Sequence, residues 1–365
     1  MVDYVIVGAG FAGCVLAEQL AAKGNKQVLL VEKCRHIGGN AYDEYNEQGL
    51  FVHKYGPHIF HTSTKAVWDY LSHFTKWHHY QHKVLAYVDG QLVPFPVNLD
   101  TINLLYGTSY DTEALQAYLV ALRTGRTNQE IHDSRDMAVS RVGQELYEKF
   151  FRNYTKKQWD LWPEELAPEV TARIPLRENR DGRYFADQYQ GLPAQGYTRM
   201  FEKMLAHDHI HLLLNTDYRD VVGQIDYEQL IYTGPIDAIF DDKYGKLPYR
   251  SINFEFETLL AEHYQAAATI NYPNDYDFTR ITEYKQLTGQ QHPYTTIVRE
   301  YPTAEGDPYY PIPQAANQLL YNRYLQDAQQ TDTIFVGRLA EYRYYNMDVV
   351  VEKALKVAHS IAENR

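Results

Sequence analysis

Residues 4–32 constrain the fold more than any other stretch. An apolar run, YVIV at 4–7, leads into Gly8, Gly10 and Gly13 with the spacing G-x-G-x-x-G. Apolar residues then recur at helical spacing (Val15, Leu16, Leu20, Ala21), and Gly24 marks the stop. QVLLVE, 27–32, reads as a second buried parallel strand ending in Glu32, 19 residues after Gly13. Each element has a physical task. Gly8 permits the tight turn, Gly10 lets the backbone approach a pyrophosphate, and Gly13 lets the helix lie close to the sheet. The helix N-terminus faces the phosphate charge. Glu32 is placed to bind ribose hydroxyls. Strand, glycine turn, helix, strand and acidic tip together predict a dinucleotide-binding unit.

The residues after Glu32 separate two cofactors. A simple NAD unit continues with another helix, whereas this chain continues with a polar loop, KCRHIGGNAY. The spacing E-K-x-R-x-x-G-G resembles flavoproteins of the glutathione-reductase and amine-oxidase kind, which implies FAD. Gly38 and Gly39 leave no side chain in the way of the flavin end, and Asn40 can bond to cofactor oxygens.

The rest of the chain, 365 residues in all, allows two or three packed units. TKAVWDYLSHF, 64–74, has helical spacing, and 82–96 reads as two strands around the Asp89-Gly90 turn. From 98 to about 175 the pattern is helical, clearest in EALQAYLVALRTG (113–125), MAVSRVGQELYEKFFRNY and PEELAPEVTARI. A helix at 196–207, a strand in IHLLLN and a returning strand at 228–234 come next. Alternation from 249 to 312 predicts an antiparallel sheet, QDAQQTD (326–332) resembles a linker, and the end reads as strand, loop and long helix. The predicted fold class is α/β: a Rossmann-like FAD-binding domain with an inserted helical domain and an antiparallel β-sheet domain. The expected boundaries are 1–80 plus about 205–245 and 325–365 for the discontinuous cofactor domain. About 98–178 forms the helical substrate domain with its mobile loop. About 81–97, 179–204 and 246–324 form the sheet domain.

Charge and composition narrow the partners. The formal net charge is −12, which argues against nucleic acid and against an anionic membrane surface, but not against an anionic small molecule held by local arginines. No apolar run is long enough to cross a bilayer, and the N-terminus has no basic leader, so a cytoplasmic protein is expected. Two cysteines, Cys14 and Cys34, form no disulfide framework. The 33 tyrosines are an unusual excess that fits either packing, interface and surface positions or a wide polar cleft that stacks on sugars or bases. HKYGPHIFHT, 53–62, holds three histidines, and both a metal site and a buried turn fit that spacing.

Ten stretches in order carry a more specific resemblance: VIVGAGFAG, EKCRHIGGNAYDEY, HKYGPHIFHT, FFRNYTKKQW, ARIPLR, YFADQYQGLPAQGYTRMFEKML, YTGPID, FTRITEY, DPYYPI and VGRLAEYRYYNMD. Along nearly its whole length the chain resembles the bacterial UDP-galactopyranose mutases. The resemblance implies an isomerase that interconverts UDP-galactopyranose and UDP-galactofuranose, a polysaccharide precursor, with no net redox change. N5 of reduced FAD is the nucleophile on the anomeric carbon. It also implies a homodimer. An oxidoreductase of the amine-oxidase type is the alternative; it shares the cofactor half and leaves FFRNYTKKQW, ARIPLR and FTRITE unexplained.

The resemblance also assigns residues. Arg173 and Arg280 grip the diphosphate, for which a planar guanidinium donates paired charge-assisted bonds. Tyr184, Tyr309 and Tyr344 bond the same phosphates. Phe150, Phe151 and Tyr154 face the uracil, with Phe150 and Tyr154 on one helix face. Trp159 lies on the closing loop, and Thr155 and Asn271 bond the nucleotide or sugar. His58 lies against the isoalloxazine, able to move a proton, with His61 as a second contact and His53 structural; the family needs no metal. Arg338 sits beside the flavin, and the backbone N–H groups of Met347 and Asp348 face cofactor oxygens. Asn346 stands where the family pattern has aspartate. The catalytic set is thus His58, Arg173, Arg280 and Tyr344.

Overall fold

The computed structural model describes residues 2–123 and 130–363. The end of the helical stretch predicted at 113–125, and residues 1, 364 and 365 of the expected cofactor domain, lie outside them.

Two sheets organise the molecule. The first is wholly parallel, with strand order Ile210–Leu213, Val28–Val31, Val2–Val7, Tyr227–Tyr232, Ile334–Phe335. Its strands come from the beginning, middle and end of the chain, so the N-terminal βαβ unit is completed by segments some 200 and 330 residues away in sequence. From the central strand Val2–Val7 the order runs to Val28–Val31 on one side and to Tyr227–Tyr232 on the other. That reversal opens a crevice at the carboxyl ends of the strands, where open α/β sheets bind ligands. Helix Phe11–Ala22 covers one face and packs against the terminal helix Met347–Glu363. Almost every residue of Phe11–Ala21 is buried, which is why its apolar pattern runs all round rather than along one stripe.

The second sheet has seven strands, in the order Tyr310–Pro311, Tyr249–Leu259, Thr295–Thr303, Arg280–Glu283, Thr269–Asn271, Val84–Val88, Gln91–Phe95. Neighbours are antiparallel except Thr269–Asn271 with Val84–Val88, which run parallel. The Asp89-Gly90 turn joins the last two, with both residues at positive φ as that turn demands. The helices of 99–172 pack on this edge through Val84, Val93 and Phe95. Where the sequence reads as a linker from 326, a helix spans Ala315–Ala328. Its burial rests on tyrosines rather than aliphatics: Tyr324 is fully buried and its hydroxyl donates to the Gly245 carbonyl at 2.8 Å. A helix held by tyrosines leaves a weak apolar period in the sequence.

Candidate functional site

A cleft of about 810 Å³ opens at the carboxyl ends of the parallel strands. Its floor is backbone. Gly8 has φ +98°, and a Cβ there would stand 2.2 Å from Thr233 Oγ1, across the strand reversal. A Cβ on Gly13 would stand 1.9 Å from the Gly8 carbonyl oxygen, so helix and strand approach as closely as the motif predicts. Gly39 meets Gly10 backbone to backbone, a Cβ on Gly39 falling 3.2 Å from the Gly10 Cα. The Gly38 N–H donates to the Ala9 carbonyl at 2.7 Å, locking the second glycine turn onto the first. Among the described residues no side chain caps the N-terminus of helix Phe11–Ala22, which leaves its first N–H groups open to an anion. Glu32 lines the cleft. Here its two oxygens accept from the N–H groups of Ala9 (2.7 Å) and Cys34 (2.8 Å), so it braces the glycine turn as well as edging the cavity.

Gly8, Gly10, Glu32, Gly38, Gly39, Asn40, His58, His61, Arg338 and Met347 all line this cleft. Gly13 lies beneath it. Asp348 comes after Met347 in the first turn of the last helix and is not among the lining residues.

The three histidines have different surroundings. His53 is buried, and its Nδ1 accepts from the His58 N–H at 3.0 Å. Burial, then His58, pushes its pKa down to about 3. His58 Nδ1 is 2.8 Å from the Gly56 carbonyl, which fixes the proton on Nδ1 and leaves Nε2 an acceptor. Burial lowers its pKa to about 4, with the Gly56 bond opposing and Arg338 adding to the fall, so this ring is neutral at neutral pH. His61 is stacked on Phe185 at 3.7 Å, its Nδ1 2.7 Å from Asp187. Among the described residues no group of three His, Cys, Asp or Glu side chains is arranged to hold a metal. His82 also lines the cleft, its pKa lowered to about 3 by burial, Arg280 and His61 in that order. The sequence reading missed it because it stands alone on the approach to a strand.

A second pocket of about 60 Å³ adjoins the cleft. Phe150, Phe151, Tyr154, Thr155 and Trp159 line it, beneath Phe95. The expected α-helical face of Phe150 and Tyr154 is altered: residues 148–152 form a π turn. The wider turn shifts the register so that Phe150 and Phe151 both reach the pocket, and such turns concentrate at functional sites. Trp159 is not in a loop. It ends the helix Asn153–Trp159, buried against Leu166, Val170 and Tyr310. The helix stops at Asp160, in left-handed conformation, where Lys156 folds back onto the Asp160 carbonyl. Lys157 donates to the carbonyls of Tyr272 and Asp275, both at 2.7 Å, clasping this helix to the sheet.

Arg173, Tyr184, Asn271, Arg280, Tyr310 and Tyr344 line both cavities and so form their junction. Arg173 comes from the end of the short helix Glu169–Ala172, and Arg280 opens a sheet strand. The guanidinium of Arg173 sits 4.7 Å from the Tyr344 ring and that of Arg338 5.9 Å. Burial alone would raise the Tyr344 pKa, but Arg173, Arg338 and Arg280 outweigh it and the net direction is downward. Although 38% of Tyr344 is open, it opens onto this arginine-ringed cavity. The Oδ1 of Asn271 is buried with no hydrogen-bond donor among the described residues. Tyr309 departs from expectation. It is 7% exposed and packs on Tyr55 and Phe254 at 6.2 and 5.9 Å, whereas Tyr310 lines both cavities. Adjacent residues entering a strand point to opposite faces, so one member of the pair turns inward.

A family model described as UDP-galactopyranose mutase matches residues 149–344, and one described as an NAD(P)-binding Rossmann-like domain matches residues 6–74. The chain is 40% identical to a probable UDP-galactopyranose mutase of Klebsiella pneumoniae, over 98% of this chain and 94% of that protein. It is 35% identical to the dTDP-fucopyranose mutase of Escherichia coli, over 99% of this chain and 98% of that one. The crystal structure of a reduced UDP-galactopyranose mutase superposes with a TM-score of 0.82 over 100% of this chain and 94% of that chain, at 16% identity, which speaks for the fold.

Proposed function

The chain belongs to the UDP-galactopyranose mutase family, and from that premise we propose that it interconverts UDP-galactopyranose and UDP-galactofuranose with reduced FAD and no net redox change. The observation that carries this is the junction: Arg173 and Arg280 stand where a dinucleotide cleft meets an aromatic pocket. A nucleoside diphosphate sugar laid across it would place its base among Phe150, Phe151, Tyr154, Thr155 and Trp159. Its diphosphate would lie between Arg173 and Arg280, within reach of Tyr184, Tyr310 and Tyr344. Its sugar would extend toward His58, with Asn271 at the turn.

The cleft fits an FAD. Gly10 and Gly39 meet backbone to backbone and put no side chain into the cleft, the uncapped N-terminus of helix Phe11–Ala22 would meet a pyrophosphate, and Glu32 edges the ribose end. Asn40, His61, Arg338 and the start of the last helix at Met347 and Asp348 would hold the flavin end. When bound, reduced flavin supplies a nucleophile for the anomeric carbon. The protein's own residues do the rest. The two arginines stabilise the diphosphate as it departs and hold it for return. Arg338 favours an anionic cofactor ring. Neutral His58, with Nε2 an acceptor, can take a proton from a sugar hydroxyl and give it back. The mobile-loop role of Trp159 becomes, on this reading, a helix end that moves out to admit the base.

We assign Tyr310, in place of Tyr309, to the diphosphate. The three-part domain division, a homodimer, a cytoplasmic setting and a role in supplying galactofuranose for polysaccharide belong to the same proposal. Among the described residues no helix is long and apolar enough to cross a membrane. The amine-oxidase alternative loses ground because the family match lies on residues 149–344, the half it leaves without a purpose. Incubation of flavin-loaded protein with UDP-galactofuranose, with and without dithionite, tests the reading. Conversion to UDP-galactopyranose in the reduced sample alone is expected; stoichiometric consumption of oxygen or another acceptor would favour the oxidoreductase.

A further inference from the structure

Four arginines line the cleft: Arg219, paired at the surface with the exposed Asp241 at 3.3 Å, and Arg173, Arg280 and Arg338, which are not equivalent. Among the described residues, Arg173 and Arg338 have no carboxylate within ion-pair distance, whereas Arg280 Nε lies 3.1 Å from Glu300 Oε2. The two residues are direct partners across antiparallel strands. The Glu300 carbonyl accepts from Thr279 N–H at 2.9 Å, so the sheet frames both. Glu300 is 2% exposed. Behind it a Cβ on Gly56 would stand 2.8 Å from the Phe254 ring and 3.6 Å from Oε1, so the bare glycine lets Phe254 close up beside the carboxylate, beneath the His58 turn.

The pair is a poor stabiliser. Arg280 Nε and Glu300 Oε1 are both buried with no aligned hydrogen bond among the described residues, so the contact is one of charge. Buried pairs of this kind contribute little net stability compared with apolar residues of the same volume. Stability therefore does not explain the carboxylate. Its effect falls on Arg280, whose buried Nε edge faces Glu300 while about a quarter of the side chain, 26%, stays open.

We propose that Glu300 is a positioning residue for the isomerisation: it holds Arg280 by the inner edge of the guanidinium and offsets its charge, which limits how tightly the cleft grips the diphosphate. This rests on the mutase reading, in which Arg280 meets the UDP diphosphate. A leaving group that must depart and return is served by a grip of intermediate strength, and a buried counter-charge behind one arginine sets it.

The test is direct UDP binding by calorimetry, together with kcat and KM, on flavin-loaded wild type, E300Q and E300D. E300Q keeps the volume and removes the negative charge, so UDP should bind about fivefold tighter, with kcat and KM falling together. E300D keeps the charge and should stay close to wild type in affinity. A merely structural role would weaken UDP binding in E300Q, and that result, or unchanged affinity, overturns the proposal. If E300Q does not fold, E300D carries the test, and loss of UDP binding in flavin-loaded E300D overturns it. Wild type that binds UDP but does not isomerise UDP-galactofuranose overturns the mutase reading and leaves the order of UDP affinities to decide on Glu300. Wild type that binds no UDP overturns both.

Discussion

The cleft and the pocket that adjoins it are built in opposite ways. The large cleft, about 810 Å³, is shaped by backbone: glycines at 8, 10, 38 and 39 line it, Gly13 lets the helix close beneath it, and parallel strand ends frame it. The small pocket, about 60 Å³, is shaped by side chains: Phe95, Phe150, Phe151 and Trp159 fill the space that a base would need. A backbone cavity is open before its ligand arrives. To admit a base as proposed, a side-chain pocket of this volume would have to expand, and the helix Asn153–Trp159 with its Lys157 clasp would have to yield. On the proposed function, the cleft would be preformed for its cofactor and the pocket would be made on binding the nucleotide, with Arg173 and Arg280 between them.

The largest effect is expected at that junction. Arg280→Ala should lower kcat by about 10²-fold or more while the protein stays yellow and flavin-loaded; wild-type-like turnover removes the arginine from its assigned role. Gly13→Val puts a branched side chain where a Cβ alone would stand 1.9 Å from a carbonyl oxygen. Since backbone cannot give way as a side chain does, about 3 kcal/mol of stability and most of the flavin should be lost, read as melting temperature and the visible flavin absorbance of the purified protein; full flavin content would show that the cleft is softer than described. Trp159→Ala acts on the other cavity. UDP binding should weaken by roughly 1–3 kcal/mol with flavin content retained, and unchanged UDP affinity would make this tryptophan ordinary core. The smallest effect separates neighbours: Tyr310→Phe should weaken UDP binding by about 1 kcal/mol, while Tyr309→Phe leaves it as it was. The reverse order would restore the assignment read from sequence.

The same contrast explains what was legible in the sequence. The cleft was legible because its construction needs glycine at fixed spacing, and glycine spacing is written residue by residue: Gly8, Gly13, Gly38 and Gly39 stand where the motif puts them. The hairpin at Asp89-Gly90 was legible for the same reason. The pocket was less so. Its residues were named, but their geometry depends on a π turn at 148–152 that no spacing rule marks, and on a helix end at Trp159 set by Lys156 and Asp160. The choice between Tyr309 and Tyr310 turns on the register of a two-residue strand, which only the sheet supplies. The helix Ala315–Ala328 hid behind tyrosines that pack as hydrophobes while scoring as polar. His82 and Glu300 became visible only when strand pairing brought them to Arg280.

The most direct test is a crystal structure of the reduced, flavin-loaded protein with UDP-galactopyranose. The backbone around Gly8–Gly13, Gly38–Asn40 and Arg338 should superpose on the present one. The pocket of Phe150, Phe151 and Trp159 should be enlarged around the base, with the diphosphate between Arg173 and Arg280. A nucleotide bound elsewhere, with the aromatic pocket still about 60 Å³, would contradict the account.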